Sequence, residues 1–192
     1  MKPQNALATF FSLSAVTACA TTSSAPASPA IYSQDCITEQ EVVAAQQAWG
    51  KGIVQIGEVY SSGGDVRKAA ADHINAFYGY DLSLVLFKPT LASQEQFRAS
   101  FDGALSYFVG GNPSYPEDKG FALKPWTRVR WSNAGIMNNT CSVAVAMGNY
   151  FFTPKDGGDE VKVEYTIGYV KDREGALRMV VHKSSLPYNN GQ

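Results

Sequence analysis

The order of periodicities along the chain predicts an α+β fold in which helices pack on one face of a curved antiparallel sheet. Helical spacing fills residues 38–78, strand-like alternation dominates residues 127–183, and hairpin-type turns separate the alternating runs. A sheet closed on one side by helices makes a cone. Its open end, between the concave face and the helices, is where a small molecule would sit.

The first helix starts at a capping-box pattern, Thr38 with Glu41 three residues on. Val42, Ala45, Gln46, Trp49, Ile53, Ile56 and Tyr60 then recur at helical spacing and form a stripe that needs a broad partner. Gly63-Gly64-Asp65 breaks the chain before a second, shorter helix over Val66–Tyr78, so the two helices read as an αα-hairpin. Leu84–Phe87 is a short strand ended by Lys88-Pro89-Thr90, and Phe101–Val109 is a third helix stopped by Gly110-Gly111. The strands that follow are Thr127–Asn133, Ser142–Phe152, Glu160–Lys171 and Leu177–Lys183. Asn-Asn, Lys-Asp-Gly-Gly-Asp and Lys-Asp-Arg-Glu-Gly connect them as an antiparallel meander.

The N-terminus reads as an address. Lys2, the apolar run Ala6–Val16 and the tetrad Val16-Thr17-Ala18-Cys19 resemble a bacterial lipoprotein signal over residues 1–18 with Cys19 as the lipidated residue. Cleavage near Ala18 or Ala30 and a plain cytoplasmic tail are the competing readings. Residues 19–35 are small and polar, a disordered tether, and residues 36–190 form a single domain. The reading places the domain on the periplasmic side of a bacterial membrane, which it touches only through the lipid. Cys36 and Cys141 then remain. In an oxidising compartment such a pair is first read as a disulfide, and two separate buried thiols are the alternative.

With 192 residues, 45% hydrophobic, 17% charged and a formal net charge of −1, the chain is globular in composition and offers no large basic surface for nucleic acid. It has two histidines, His73 and His182, which excludes a three-histidine zinc site. Phosphate loops, the Gly-x-Ser-x-Gly elbow and dinucleotide fingerprints are absent from the sequence. The last strand carries what chemistry there is. Alternation places His182 and Ser184 on one face and Lys183 and Ser185 on the other. An imidazole beside a hydroxyl in an apolar pocket can hold a water, and an ordinary pKa near ~6.5 suits it to accept a proton. Equally, the two can hydrogen-bond neighbouring backbone. Thr90 and Tyr107 are further hydroxyls the layout can aim at the same space, or else a helix cap and a core aromatic. His73 reads as a satisfied interface histidine outside the site. Phe87, Trp131, Ile167 and Tyr169 are the candidate apolar walls.

The segments Cys-Ile-Thr-Glu-Gln, Val-Leu-Phe-Lys-Pro-Thr, Ala-Leu-Ser-Tyr-Phe, Ala-Met-Gly-Asn-Tyr-Phe-Phe, Val-Glu-Tyr-Thr-Ile-Gly-Tyr and His-Lys-Ser-Ser-Leu-Pro resemble the iota-class carbonic anhydrases across nearly all of residues 36–188. The resemblance implies an NTF2-like cone, a homodimer, CO2 and bicarbonate as the reacting pair, and catalysis without a cofactor, although some relatives use zinc or manganese. It places the family's pocket threonine on Thr90, its tyrosine on Tyr107 and its closing His-x-Ser on His182 and Ser184. It also strengthens the pairing of Cys36 with Cys141. One departure is visible: the family's second terminal histidine is Lys183 here. The competing function is a non-catalytic ligand-binding or dimerisation module of the same fold. An isomerase- or dehydratase-like enzyme would instead want a pocket carboxylate, for which the strands offer mainly Glu164.

Overall fold

The computed structural model describes Tyr32, Ser33 and residues 35–189. The signal segment 1–18, Cys19 and most of the tether lie outside the described residues, as does residue 190. The last tether residues depart from the expected disorder. Tyr32 bridges to Asp172 and the Ser33 N–H donates to the Lys171 carbonyl at 3.0 Å, so the chain is tied to the sheet before the domain begins.

Helix α1 spans Glu39–Ser61 and opens with the expected capping box: Thr38 Oγ1 accepts from the Glu41 N–H and the Glu41 carboxylate accepts from the Thr38 N–H. Its buried stripe is Val42, Gln46, Trp49, Ile53 and Ile56, whereas Tyr60 at the end of the run is exposed. Gly50 is what lets α1 lie close to the sheet, since a Cβ there would sit 3.0 Å from the Val129 Cβ. Helix α2, Val66–Phe77, folds back along α1, capped by Asp65, which accepts from the Lys68 N–H. Helix α3, Phe101–Val109, is capped by Ser100 and ends at Gly110, whose positive φ of 67° suits glycine.

The sheet has five strands in the order β1-β5-β4-β3-β2, with β1 Leu86–Lys88, β2 Trp126–Met137, β3 Val143–Pro154, β4 Val161–Lys171 and β5 Leu177–Ser185. Strands β2 to β5 form the antiparallel meander. The expectation of a wholly antiparallel sheet fails at β1, which runs parallel to β5 with Phe87 opposite His182. A parallel neighbour needs a long crossover, and here the whole of α3 and the meander separates the two strands in sequence. A short 3-10 turn at Phe121–Leu123, not legible in the sequence, leads into β2. Register shifts at Asn133/Gly135 and at Gly168/Tyr169 curl the sheet around the helices.

Cys36 and Cys141 are joined in a disulfide that ties the entry to α1 to the β2–β3 connection. The Ile37 N–H donates to the Cys141 carbonyl beside it at 2.9 Å. No helix among the described residues is long and apolar enough to cross a membrane.

Candidate active site

The wide end of the cone holds a cavity of about 260 Å³ whose walls are mostly aromatic and aliphatic. Trp49 of α1, Phe108 of α3, Phe121, Trp126 of β2, Phe152 of β3 and Val163 of β4 supply most of the apolar surface. Leu91 and Leu186, both more than half exposed, lie at the mouth. Into this lining Thr90, Tyr107, His182 and Ser184 all project. Four side chains from three separate parts of the chain thus share one chamber.

Their placement follows from the strands. Val180 is the extra residue at the β4–β5 register shift, because Tyr169 pairs with Met179 while Gly168 pairs with Val181. Met179, His182 and Ser184 are therefore buried, whereas Lys183 is exposed and donates to Ser185 Oγ at 2.7 Å. The expected facing of His182 and Ser184, opposite to Lys183, is what the fold produces. The parallel neighbour β1 brings Phe87 onto the same face, where its ring stacks on His182 at 5.1 Å between centroids. Just beyond β1, Thr90 Oγ1 donates to Ser184 Oγ at 2.9 Å, so Thr90 is a site residue in geometry and not a helix cap. Tyr107 arrives from α3, its ring stacked on Phe121.

Burial keeps the imidazole and the phenols of the chamber uncharged. Burial lowers the His182 pKa to about 3, so the imidazole is neutral at ordinary pH and the proton-accepting role expected from an unperturbed histidine does not fit its surroundings. Burial pushes the Tyr107 phenol well above its usual range and does the same to Tyr150, against the opposing influence of the Ser184 and Thr90 hydroxyls. Both phenols are neutral donors. His182 Nδ1 is hydrogen-bonded to the Tyr78 hydroxyl at 2.9 Å, and Trp49 Nε1 donates to the same oxygen at 3.3 Å. His182 Nε2 is buried without a protein partner.

The residues present do not suit a metal. Zinc takes imidazole, thiolate or carboxylate ligands, and the cavity lining offers one imidazole and otherwise hydroxyls and the Lys124 ammonium. Among the described residues no group of three or more His, Cys, Asp and Glu gathers as a metal site.

The family model described as "Metal-independent carbonic anhydrase" matches residues 40–186. The chain belongs to that family. Among its relatives is the metal-independent carbonic anhydrase of Nostoc sp. (strain PCC 7120 / SAG 25.82 / UTEX 2576), 48% identical over 155 residues that cover 79% of this chain and 75% of the relative. The crystal structure of a cyanobacterial iota-carbonic anhydrase complexed with bicarbonate superposes with a TM-score of 0.77 at 44% identity, covering 81% of this chain and 95% of that one. An NTF-2 like protein of unknown function from Shewanella oneidensis MR-1 matches at 14% identity and a TM-score of 0.46, over 76% of this chain and 97% of that one.

As a member of the metal-independent anhydrase family, the chain keeps all four expected polar residues in one cavity, but its walls differ from those expected. Of the candidate wall residues only Phe87 lines the chamber. Ile167 and Tyr169 are fully buried in the core, and Trp131 packs on Tyr150 and Tyr165. The alternative carboxylate base fails as well, since Glu164 is exposed on the other face, accepting from Ser185. His73 is buried as expected but not satisfied: neither ring nitrogen has a partner, and it sits among Trp49, Phe77 and Phe108. Sequence reasoning missed Tyr78 and Trp49, which are hydrogen-bonded to each other beside His182, and Tyr150, which lines the cavity next to Ser184. Tyr78 follows directly on α2 and Trp49 lies in the buried stripe of α1, so both carry the signature of core aromatics and only their hydroxyl or indole N–H partners distinguish them.

Proposed function

We infer that this protein hydrates CO2 to bicarbonate, and dehydrates bicarbonate, without a resident metal in the cavity between sheet and helices. The observation that carries the reading is the meeting of Thr90, Tyr107, His182 and Ser184 in one apolar chamber of a chain that belongs to the metal-independent carbonic anhydrase family. In the reaction the water oxygen bonds to the carbon, a C=O electron pair moves onto oxygen, and one water proton leaves. Free water, with a pKa of about 15.7, is a poor nucleophile. Two effects remain for a site with no metal: confining water and CO2 in a reactive arrangement, and donating hydrogen bonds to the oxygen that becomes negative. The donors the chamber offers are the linked hydroxyls of Thr90, Ser184 and Tyr150 and, beside them, the neutral phenol of Tyr107. The apolar walls strengthen these bonds by keeping bulk water away. With His182 held neutral, the released proton is best taken by solvent at the mouth.

Stopped-flow CO2 hydration with and without chelator tests the reading, on wild type and on Ser184→Ala and Tyr107→Phe. Chelator-resistant hydration that falls in both variants is expected. A wild-type rate no higher than buffer would refute catalysis and favour a ligand-binding or dimerisation module. Loss of the rate on chelation would refute the metal-free assignment.

The N-terminal sequence further supports export, with lipid attached at Cys19 and residues 19–35 as the tether. Met137, Val143 and Met147, exposed together on β2 and β3, offer an apolar outer face for a homodimer. Membrane fractionation of wild type and Cys19→Ser tests the first, and sedimentation of Met147→Glu tests the second.

A further inference from the structure

Three aromatic residues from different elements form a chain of hydrogen bonds that ends in the cavity, and its direction can be worked out atom by atom. Trp49 has one polar proton and no acceptor, so it must donate to the Tyr78 oxygen. The phenol then has one proton left to place. Among the described residues its remaining polar partner is His182 Nδ1, at 2.9 Å. If the imidazole carried its proton on Nδ1, the Tyr78 oxygen would receive two protons and its own would have no acceptor, in a residue that is 1% exposed. An orphaned buried donor is disfavoured. Placing the proton of the neutral ring on Nε2 partners the Trp49 N–H, the Tyr78 O–H and Nδ1, and leaves a single group over, Nε2–H, buried without a protein partner on a residue that lines the chamber.

We propose that Tyr78, braced by Trp49, is a positioning residue that fixes His182 as the Nε2–H tautomer, so that the imidazole acts in the cavity as a hydrogen-bond donor to bicarbonate oxygen and not as a base for water. The assignment rests on the anhydrase reading for its catalytic meaning but not for its tautomer. Three contacts hold the geometry rigid. The His182 ring is stacked at 24° on Phe87 on one side and at 24° on Tyr78, and Trp49 meets it edge-on at 79°. The ring therefore has little freedom to turn over and exchange its two nitrogens. A histidine so held resembles the orienting partners that fix ring tautomers elsewhere, except that the orienting group here is a neutral phenol, which does not raise the basicity of the ring as a carboxylate would. Tyr78 stays protonated because burial raises its pKa strongly.

Imidazole-15N NMR on the full chain decides the matter. In a His73→Leu background His182 is the only histidine, so both ring-nitrogen signals belong to it, and their couplings to the ring protons Hδ2 and Hε1 tell Nε2 from Nδ1. The expected pattern is an unprotonated Nδ1 and a protonated Nε2, with the Nε2 signal moving when bicarbonate is added. In Tyr78→Phe, which keeps the ring and removes the hydroxyl, a mixture of tautomers replaces the single form. In the same variant kcat falls by about tenfold, the worth of one hydrogen bond at the reacting oxygen, while KM for CO2 is unchanged. An Nδ1-protonated His182 in the parent overturns the proposal, as does a Tyr78→Phe variant that retains both the tautomer and kcat. A parent with the expected nitrogen pattern and no hydration activity would uphold the tautomer assignment while refuting the anhydrase reading, so the two failures are told apart.

Discussion

Mild acid should weaken this protein through its two histidines. His73 and His182 are 6% and 2% exposed, and burial lowers each pKa from about 6.5 to about 3. Below pH ~6.5 the unfolded chain takes up a proton at each imidazole that the folded chain refuses until about pH 3. The unfolded state thus binds more protons throughout that window, and stability falls as the pH drops, by about 1.4 kcal/mol per pH unit for each histidine. Between pH 6.5 and pH 5 the pair removes up to about 4 kcal/mol, a large part of the ~5–15 kcal/mol that holds a typical domain together. The Glu41 and Glu117 carboxylates, whose hydrogen bonds and ionic contacts lower their pKa values, add losses in the same direction only as the pH approaches the carboxylate range. Urea titrations followed by tryptophan fluorescence at pH 7.5 and pH 5, on wild type and His73→Leu, isolate the effect. His73 has no hydrogen-bond partner, so leucine, an apolar side chain of similar volume, replaces it without orphaning any polar group. The variant should be more stable than wild type at both pH values and should show about half the pH dependence. Stability that is flat between pH 7.5 and pH 5 in wild type, or an undiminished slope in His73→Leu, would refute the reasoning.

Other outcomes follow from the same structure. Thr90→Val removes the donor to Ser184 at constant shape, and hydration should drop by roughly 10²-fold with the fold intact by circular dichroism; a rate within twofold of wild type would put Thr90 outside the chemistry. Val163→Phe fills the chamber from β4, and should abolish hydration at a cost of about 1–3 kcal/mol in unfolding free energy; a rate within twofold of wild type would put the chemistry outside this chamber. Replacing Cys36 and Cys141 by serine opens a loop of sequence separation 105, which the chain-entropy model values at about 4.7 kcal/mol, so the thermal midpoint should fall by many degrees; an unchanged midpoint would show that the bridge constrains nothing.

Most elements were legible because each depends on local patterning. The capping box at Thr38, the stripe through Trp49 and Ile53, and the glycine stops at Gly63-Gly64 and Gly110-Gly111 announce α1 to α3 within a turn of their bounds. The disagreements are all tertiary. Leu84 and Val85 precede β1, which starts at Leu86, because that strand exists only where β5 lies beside it. Strand β2 runs past Asn133 to Met137 because β3 continues to offer partners beyond a register shift.

The sequence by itself determined which residue types can do chemistry here, since two histidines, no phosphate loop and one His-x-Ser strand leave few choices, and alternation alone put His182 and Ser184 together. Only the tertiary structure decided that this pair faces inward. Strict alternation from the buried Met179 would have turned Val181 and Lys183 toward the chamber, and it is the extra residue Val180 that shifts the pattern by one. Burial likewise decided the charge of His182, and the folding of α1 and α2 against β5 decided which of its nitrogens meets Tyr78. A side chain's pKa and tautomer are set by its neighbours in space and by the water they exclude, and neither is written at the position of the residue along the chain.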